Sequence, residues 1–319
     1  MCIQQKKIFN INYRKRMIRS HLYKSQKLVD IDLIKEYLNN QINELVCWWY
    51  YYIKEISWQL LIAFLAYICV CIFFYVILKK VNHAAWQLPG PPRRILLVTA
   101  HPDDEVMFFG PMIYWVTRSK ISNIYLLCFS SGGDKQRKKE LWNCTKLLGI
   151  PEANVTIIMS SELPDSQSVK WPVDVLAENI LHYIESYKIN AVITFDKYGV
   201  SKHKNHISLY FAIAALCIEK KVPSYCKLYV LESVNITRKY VQLLDLPISL
   251  LSASYWYLLT YEQRKNIRNA MKAHKSQYVW FRKLYMIFSR YTFINTLQEI
   301  SALDLELDFQ FDDEYTQSN

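Results

Sequence analysis

The chain has 319 residues, 52% of them apolar, and a formal net charge of +11. That is enough chain and apolar content to bury one substantial core or two small ones. The positive charge is spread over both ends and lacks the aromatic-interleaved basic motif of a nucleic-acid binder, so no nucleic acid is expected as a partner. An anionic membrane surface or a phosphate-bearing substrate accounts for it instead.

Residues 1–55 read as a basic arm with some helical pattern at 29–45. Residues 56–78 carry no charge and exceed the ~20 residues a helix needs to cross a bilayer core. Trp48, Trp49, Tyr50, Tyr51 and Tyr52 precede this run as an aromatic interfacial belt would, and Lys79 and Lys80 follow it. The run starts too deep in the chain for a cleavable signal peptide, and no small-residue cleavage site follows. One transmembrane helix is therefore expected. Its near flanks hold Lys54 on one side and Lys79, Lys80, Arg93 and Arg94 on the other, which favours a cytosolic carboxyl-terminal domain. Counting the whole basic arm reverses that sum. Cysteines without any Cys-x-x-Cys pairing agree with a reducing compartment, and the sequons at Asn143, Asn154 and Asn235 are discounted accordingly.

Residues 79–93 are a linker containing Leu88-Pro89-Gly90-Pro91-Pro92. From 94 to 240, short apolar runs alternate with longer helical patterns. Strands are expected at 94–100, 124–130, 154–160, 191–196 and 228–233, and helices at 105–118, 135–149, 173–187 and 205–219. Ala177, Ile180, Leu181 and Ile184, extended by Val173 and Leu176, have the spacing of a packed helix face. Apolar strands separated by helices predict an α/β fold, a mostly parallel sheet with helices on both faces. Residues 241–300 read as an apolar and basic helical region, and the basic aromatic stretch 279–293 suits a helix lying in a bilayer interface. Residues 301–319 read as an acidic tail.

Two clusters carry chemistry. His101-Pro102-Asp103-Asp104-Glu105 follows the first strand, and His203-Lys204-Asn205-His206 follows the fourth. In parallel sheets ligands bind at the carboxyl ends of strands, where both clusters fall. A catalytic Zn²⁺ takes three protein ligands and keeps a position for water. His101, one of Asp103 or Asp104, and one of His203 or His206 supply that number. The remaining carboxylate would act as general base and the remaining imidazole as general acid or oxyanion stabiliser. Isolated histidines (His21, His83, His182) are read as structural or surface residues. This donor set would also accept Fe²⁺, Co²⁺ or Mn²⁺.

These clusters, with Asp196, Gly199-Val200-Ser201-Lys202 and the later Ser233-Val234-Asn235, Arg238-Lys239-Tyr240, Leu243 to Pro247 and Ser276 to Arg282, resemble the LmbE-like de-N-acetylases. Within them the chain is similar to the eukaryotic N-acetylglucosaminyl-phosphatidylinositol de-N-acetylases over roughly residues 56–296. The resemblance implies a Rossmann-like sheet. It implies a metal-dependent amidohydrolase that deacetylates a lipid-linked sugar in the second step of glycosylphosphatidylinositol (GPI) anchor synthesis. It implies Zn²⁺ held by His101, Asp104 and His206, with Asp103 as general base. His203 would be the general acid that also steadies the oxyanion. For that role its pKa would have to rise toward the working pH, which nearby carboxylates could supply and the metal charge would oppose. Arg137, Asp196, Ser201 and Asn205 are candidate substrate contacts. The implied setting is the endoplasmic reticulum membrane, with one span and the catalytic domain on the cytosolic face. The chain departs from the family pattern at Lys202, where glycine is common, and in a shortened 130–137 loop. The rival readings are a de-N-acetylase of a soluble amino sugar and a non-catalytic membrane scaffold.

Overall fold

The computed structural model describes residues 2–80, 88, 93–132 and 134–306, and only the backbone of 2–13 and 26–29. Most of the 79–93 linker, His83, and the acidic tail from 307 onward lie outside these residues. Residues Met1–Tyr67 and Ile68–Asn319 are two separate compact units.

Among the described residues the first unit is a single helix, which continues past Tyr67 to Lys80. Helix α1 (Cys2–Lys80) is continuous, whereas the sequence pattern suggested separate helical stretches at 29–45 and 56–78. The reason is that residues 2–80 contain neither proline nor glycine, so nothing interrupts the intrahelical ladder. Among the described residues it is the one helix long and apolar enough to cross a membrane. Many of its large apolar side chains, Leu60 and Phe73 among them, lie exposed, whereas Leu78 near its end is buried.

The second unit is a sheet with helices on both faces. Its elements in chain order are β1 (Arg94–Thr99), α2 (Asp104–Phe108), α3 (Gly110–Ser119), β2 (Asn123–Cys128), α4 (Lys135–Leu148), β3 (Val155–Ile157), α5 (Val173–Ser186) and β4 (Ala191–Phe195). There follow α6 (Gly199–Lys202), α7 (Lys204–Ile218), β5 (Lys227–Leu231), α8 (Ile236–Tyr240), α9 (Leu246–Ser252), β6 (Tyr255–Leu258), α10 (Arg264–Met271), α11 (Trp280–Phe288) and β7 (Ile294–Ile300). The sheet order is β3-β2-β1-β4-β5-β7-β6. The first five strands are parallel neighbours, and β7 pairs antiparallel with β5 and β6. The fold is thus the expected Rossmann-like α/β arrangement.

Strands β1, β2, β4 and β5 are largely buried apolar runs, because helices cover both faces of a parallel sheet, whereas the edge strand β3 is only partly buried. Helix α5 buries Leu176, Ala177, Ile180 and Ile184, the face its spacing predicts. Helix α4 opens with the Asp134 carboxylate accepting the Gln136 N–H at 2.7 Å and stops at Gly149, φ +87°.

One expectation needs correction. The region 241–300 is not wholly helical: β6 and β7 lie within it and extend the sheet, so the α/β unit does not end near residue 240. Tyr255-Trp256-Tyr257-Leu258 is a four-residue apolar run, too short for periodicity to separate a strand from a helix turn. Helix α11 ends at Phe288, and the following turn feeds directly into β7.

Candidate metal centre and active site

Two backbone turns at the carboxyl edge of the sheet build the site. As β1 ends, the N–H groups of Ala100 and His101 donate to Asp104 Oδ2 at 3.0 and 2.8 Å. This bends the chain back and seats Asp104 at the start of α2. Asp103 adopts φ +112°, a conformation an L-residue rarely keeps without surrounding constraint. That constraint is Glu105, whose Oε2 accepts the Asp103 N–H at 3.0 Å while its Oε1 accepts from His274 Nε2 at 2.7 Å.

The second turn follows β4. The Asp196 carboxylate accepts the N–H groups of Tyr198, Gly199 and Ser233 and the Ser233 hydroxyl, tying the 196–199 loop to the end of β5. Gly199 is required here. It sits at φ +57°, and a Cβ would lie 3.0 Å from His206 Cβ and 3.3 Å from the Ile207 nitrogen. Lys202, at the position where glycine is common, takes φ +58°, so the chain makes the same left-handed turn with a side chain in place.

Tautomers then follow from the neighbours. The His206 Nδ1–H donates to the Gly199 carbonyl at 3.1 Å, leaving Nε2 as the lone-pair nitrogen. That Nε2 is buried, makes no hydrogen bond among the described residues, and faces Asp104 Oδ1 across 3.3 Å. His101 Nε2 lies 3.0 Å from Asn205 Oδ1, and Nδ1 faces Asp104 Oδ2 across 3.7 Å. Asn205 Oδ1 also accepts the Ser166 N–H, so it serves as an acceptor and makes His101 Nε2 the donor. Two imidazole nitrogens and a carboxylate oxygen, all within 4.8 Å of one another, thus face one another without protons between them. This donor set fits a catalytic divalent cation. The His206 ring is held flat on Phe195, centroids 3.9 Å apart.

Burial dominates the protonation of the site. It pushes the Asp103 carboxyl up to about 7, with Arg282, whose Nη2 lies 3.0 Å from Oδ2, opposing the rise. Burial also opposes ionisation of Asp104, but His206, His101 and the His101 N–H outweigh it and hold Asp104 well below the usual carboxylate range. Burial, reinforced by the His206 and His101 rings, lowers His203 to about 4. This is the opposite direction to the rise that an acid role for His203 would need. The neighbouring carboxylates are too few to offset desolvation and two nearby imidazoles.

A cavity of about 550 Å³ opens above these groups. His101, Asp103, Asp104, His203 and His206 line it, as do Arg137 and Ser201 among the candidate substrate contacts. The other two do not. Asp196 is occupied in holding its loop, and Asn205 is fully buried beneath His101.

Residues 96–217 match the PIG-L family, described as GlcNAc-PI de-N-acetylase. The chain is 47% identical over 215 residues to the N-acetylglucosaminyl-phosphatidylinositol de-N-acetylase of Bos taurus, covering 66% of this chain and 85% of the relative. The chain belongs to the PIG-L family. It is also 38% identical to the probable N-acetylglucosaminyl-phosphatidylinositol de-N-acetylase of Schizosaccharomyces pombe over 64% of this chain and 86% of that one. Among solved structures it is similar to N,N'-diacetylchitobiose deacetylase from Pyrococcus horikoshii, with 15% identity, a TM-score of 0.49, and 72% and 94% of the two chains covered.

Several groups at this PIG-L site escape a motif-based reading. Asp165 Oδ1 lies 3.2 Å from His101 Nε2, and its other oxygen pairs with Arg137. It sits in an irregular stretch between β3 and α5, with no strand end to mark it. Arg282 reaches Asp103 from α11, and His274 reaches Glu105 from beyond α10. The one signal for Arg282 was its membership in the stretch Ser276 to Arg282, which carried part of the family resemblance.

Proposed function

We propose that the chain is a membrane-anchored, zinc-dependent amidohydrolase acting on N-acetylglucosaminyl-phosphatidylinositol. It releases acetate and leaves glucosaminyl-phosphatidylinositol, the deacetylation step of GPI-anchor synthesis. The observation that carries this reading is the juxtaposition, at the floor of one cavity, of a three-donor cluster with Asp103 and His203 in a PIG-L chain.

In this reading His101 Nδ1, Asp104 and His206 Nε2 hold the cation. When bound, Zn²⁺ would act as a Lewis acid on water and on the acetamide carbonyl. Asp103 takes the proton from the attacking water and returns it to the departing glucosamine nitrogen. A carboxyl pushed up to about 7 serves both directions, since its proton affinity matches a near-neutral medium. His203 Nδ1 accepts the Asn205 N–H at 3.3 Å, so the neutral ring carries its proton on Nε2. Held neutral by burial, His203 stabilises the oxyanion as an uncharged donor, and the acid duty passes to Asp103. This divides the work differently from the family-based expectation for His203.

The cavity walls suit an anionic glycolipid. Arg137 and Arg282 are already paired with Asp165 and Asp103. Lys239 lies over the Tyr240 and Tyr285 rings and pairs with no carboxylate among the described residues, which leaves its charge for the substrate phosphodiester. The exposed apolar stretch of α1 supports anchoring in a membrane. Lys79 and Lys80 support a cytosolic catalytic unit on the endoplasmic reticulum membrane.

The test is acetate release by the purified full chain from lipid-linked and from free N-acetylglucosamine, with and without chelator. Chelator-sensitive turnover confined to the lipid-linked substrate is expected. Equal turnover of both substrates would favour the soluble-sugar reading, and metal-loaded protein without turnover would favour the scaffold.

A further inference from the structure

The wall of the cavity formed by the late helices has an outer side that catalysis does not use. Phe281, Leu284 and Phe288 of α11 line the cavity, yet each remains substantially exposed, so the mouth is rimmed by bare apolar side chains. The apolar surface continues away from the mouth. Trp280 is 71% exposed, Ile236 of α8 76% and Leu251 of α9 86%, values that make these residues costly in water. These elements are locked together. The Gln242 side-chain amide donates to the Ile287 carbonyl, Arg238 pairs with Asp245 at the start of α9, and the Tyr240 and Tyr285 rings meet at 6.5 Å.

Two further observations name what covers this surface. The first is charge. Beside Lys283 and Ile287 lies a second cavity of about 350 Å³, lined by Lys265, Arg268, Lys272 and Lys283. None of the four is paired with a carboxylate among the described residues. The second is continuity with α1. Its last turns pack on the same region, with Tyr75 Oη accepting the Tyr261 N–H at 3.1 Å and Leu78 buried in one cluster with Leu246, the first residue of α9. A helix that crosses a bilayer and ends on α9 delivers α9 and its neighbours to the lipid surface.

We propose that this face docks on an anionic lipid bilayer. Trp280, Ile236 and Leu251 enter the acyl boundary, the cationic cavity takes lipid phosphates, and the active-site mouth opens onto the membrane. The lipid-linked substrate then reaches Asp103 with its acyl chains still in the bilayer. This rests on the membrane-anchored reading above but not on the deacetylation chemistry.

The test uses the full chain reconstituted in phosphatidylcholine vesicles with and without phosphatidylserine. A photo-crosslinking phenylalanine analogue replaces Ile236, Leu251, Trp280 or, as control, the exposed Leu147 of α4. Lipid adducts at the first three positions, absent at Leu147 and enriched by phosphatidylserine, are expected. Adducts to protein at these positions, or no adducts, would overturn the proposal. The replacement of Lys265, Arg268 and Lys272 by glutamine should abolish the phosphatidylserine enrichment; enrichment that persists would overturn the headgroup assignment. A kinetic arm separates docking from chemistry. Ile236→Asp with Leu251→Asp should lower turnover of the vesicle-borne substrate roughly tenfold and leave a water-soluble short-chain analogue unaffected. Equal loss on both substrates would refute docking as the cause. An unaltered chain inactive on both would instead sink the deacetylase reading, while the crosslinks still decide the docking.

Discussion

Replacing Arg282 by methionine keeps the length of the side chain and removes its charge, so it isolates what the guanidinium does to Asp103. The two charges lie 3.0 Å apart, with the Asp103 side chain 5% and that of Arg282 24% exposed. At that distance and an effective dielectric of ~20, opposite unit charges attract by about 5 kcal/mol. Water reaching the guanidinium screens part of this, and an arginine neighbour typically lowers a carboxylate by ~1–3 pKa units. Burial already pushes Asp103 up to about 7 against that pull. Without Arg282 the carboxyl should rise further. As general base Asp103 must be ionised, so activity climbs as pH rises through its pKa, and the acid limb of kcat/KM should move to higher pH by roughly one to three units. The assay is a pH profile of kcat/KM for both proteins at saturating metal, with metal content measured at each pH. An acid limb displaced to lower pH, or one unmoved with the plateau unchanged, would refute the assignment of Asp103 as the titrating base. A uniform drop without a shift would make Arg282 a substrate contact instead.

Other outcomes test separate parts of the site. Asp104→Asn and His206→Ala should each lose bound metal on elemental analysis, whereas Asp103→Asn should keep it and slow turnover by about 10²–10⁴; metal loss in the last variant would exchange the roles of the two aspartates. His203→Ala should retain metal, lose about 10²–10³ in kcat, and leave the alkaline limb in place, because burial already keeps the ring neutral near pH 7. Disappearance of that limb would return the acid role to His203. Arg290 is buried and pairs with Asp245 at 2.9 Å, so Arg290→Met removes one of the two guanidinium partners of that buried carboxylate, leaves Arg238 as the other, and should cost about 1.5–3 kcal/mol in denaturant unfolding.

The parts of this molecule that its sequence discloses share one property: their chemistry is local. Strands β1, β2, β4 and β5 announce themselves because a sheet covered on both faces demands long apolar runs. His101, Asp103 and Asp104 are legible because one tight turn presents all three, and His203 and His206 because one turn of α7 does the same. Strand β7, with Asn295, Thr296, Gln298 and Glu299 among its residues, has no such signature; it is a strand because β5 and β6 flank it. Asp165, His274 and Arg282 reach the site only through the tertiary fold, so no spacing relates them to the motifs. Asp196 and Asn205 lie within the motifs but do not line the cavity. Their place within the motifs suggested substrate contact, but the loops that carry the ligands need those side chains as struts.

Asn295 has a consequence for how the protein comes to be made. Its buried amide donates to the Phe108 carbonyl at 2.6 Å and accepts the Met112 N–H at 3.0 Å, clamping the junction of α2 and α3 from the far end of the chain. That contact closes a sequence separation of 187 residues, and pairings so distant form late and slowly. On the ribosome, both ligand clusters therefore emerge long before the strand that braces them. For that interval α2, which begins at Asp104, lacks the clamp at its far end. A chain released just short of β7 would carry every candidate ligand while lacking the Asn295 clamp on the α2–α3 junction.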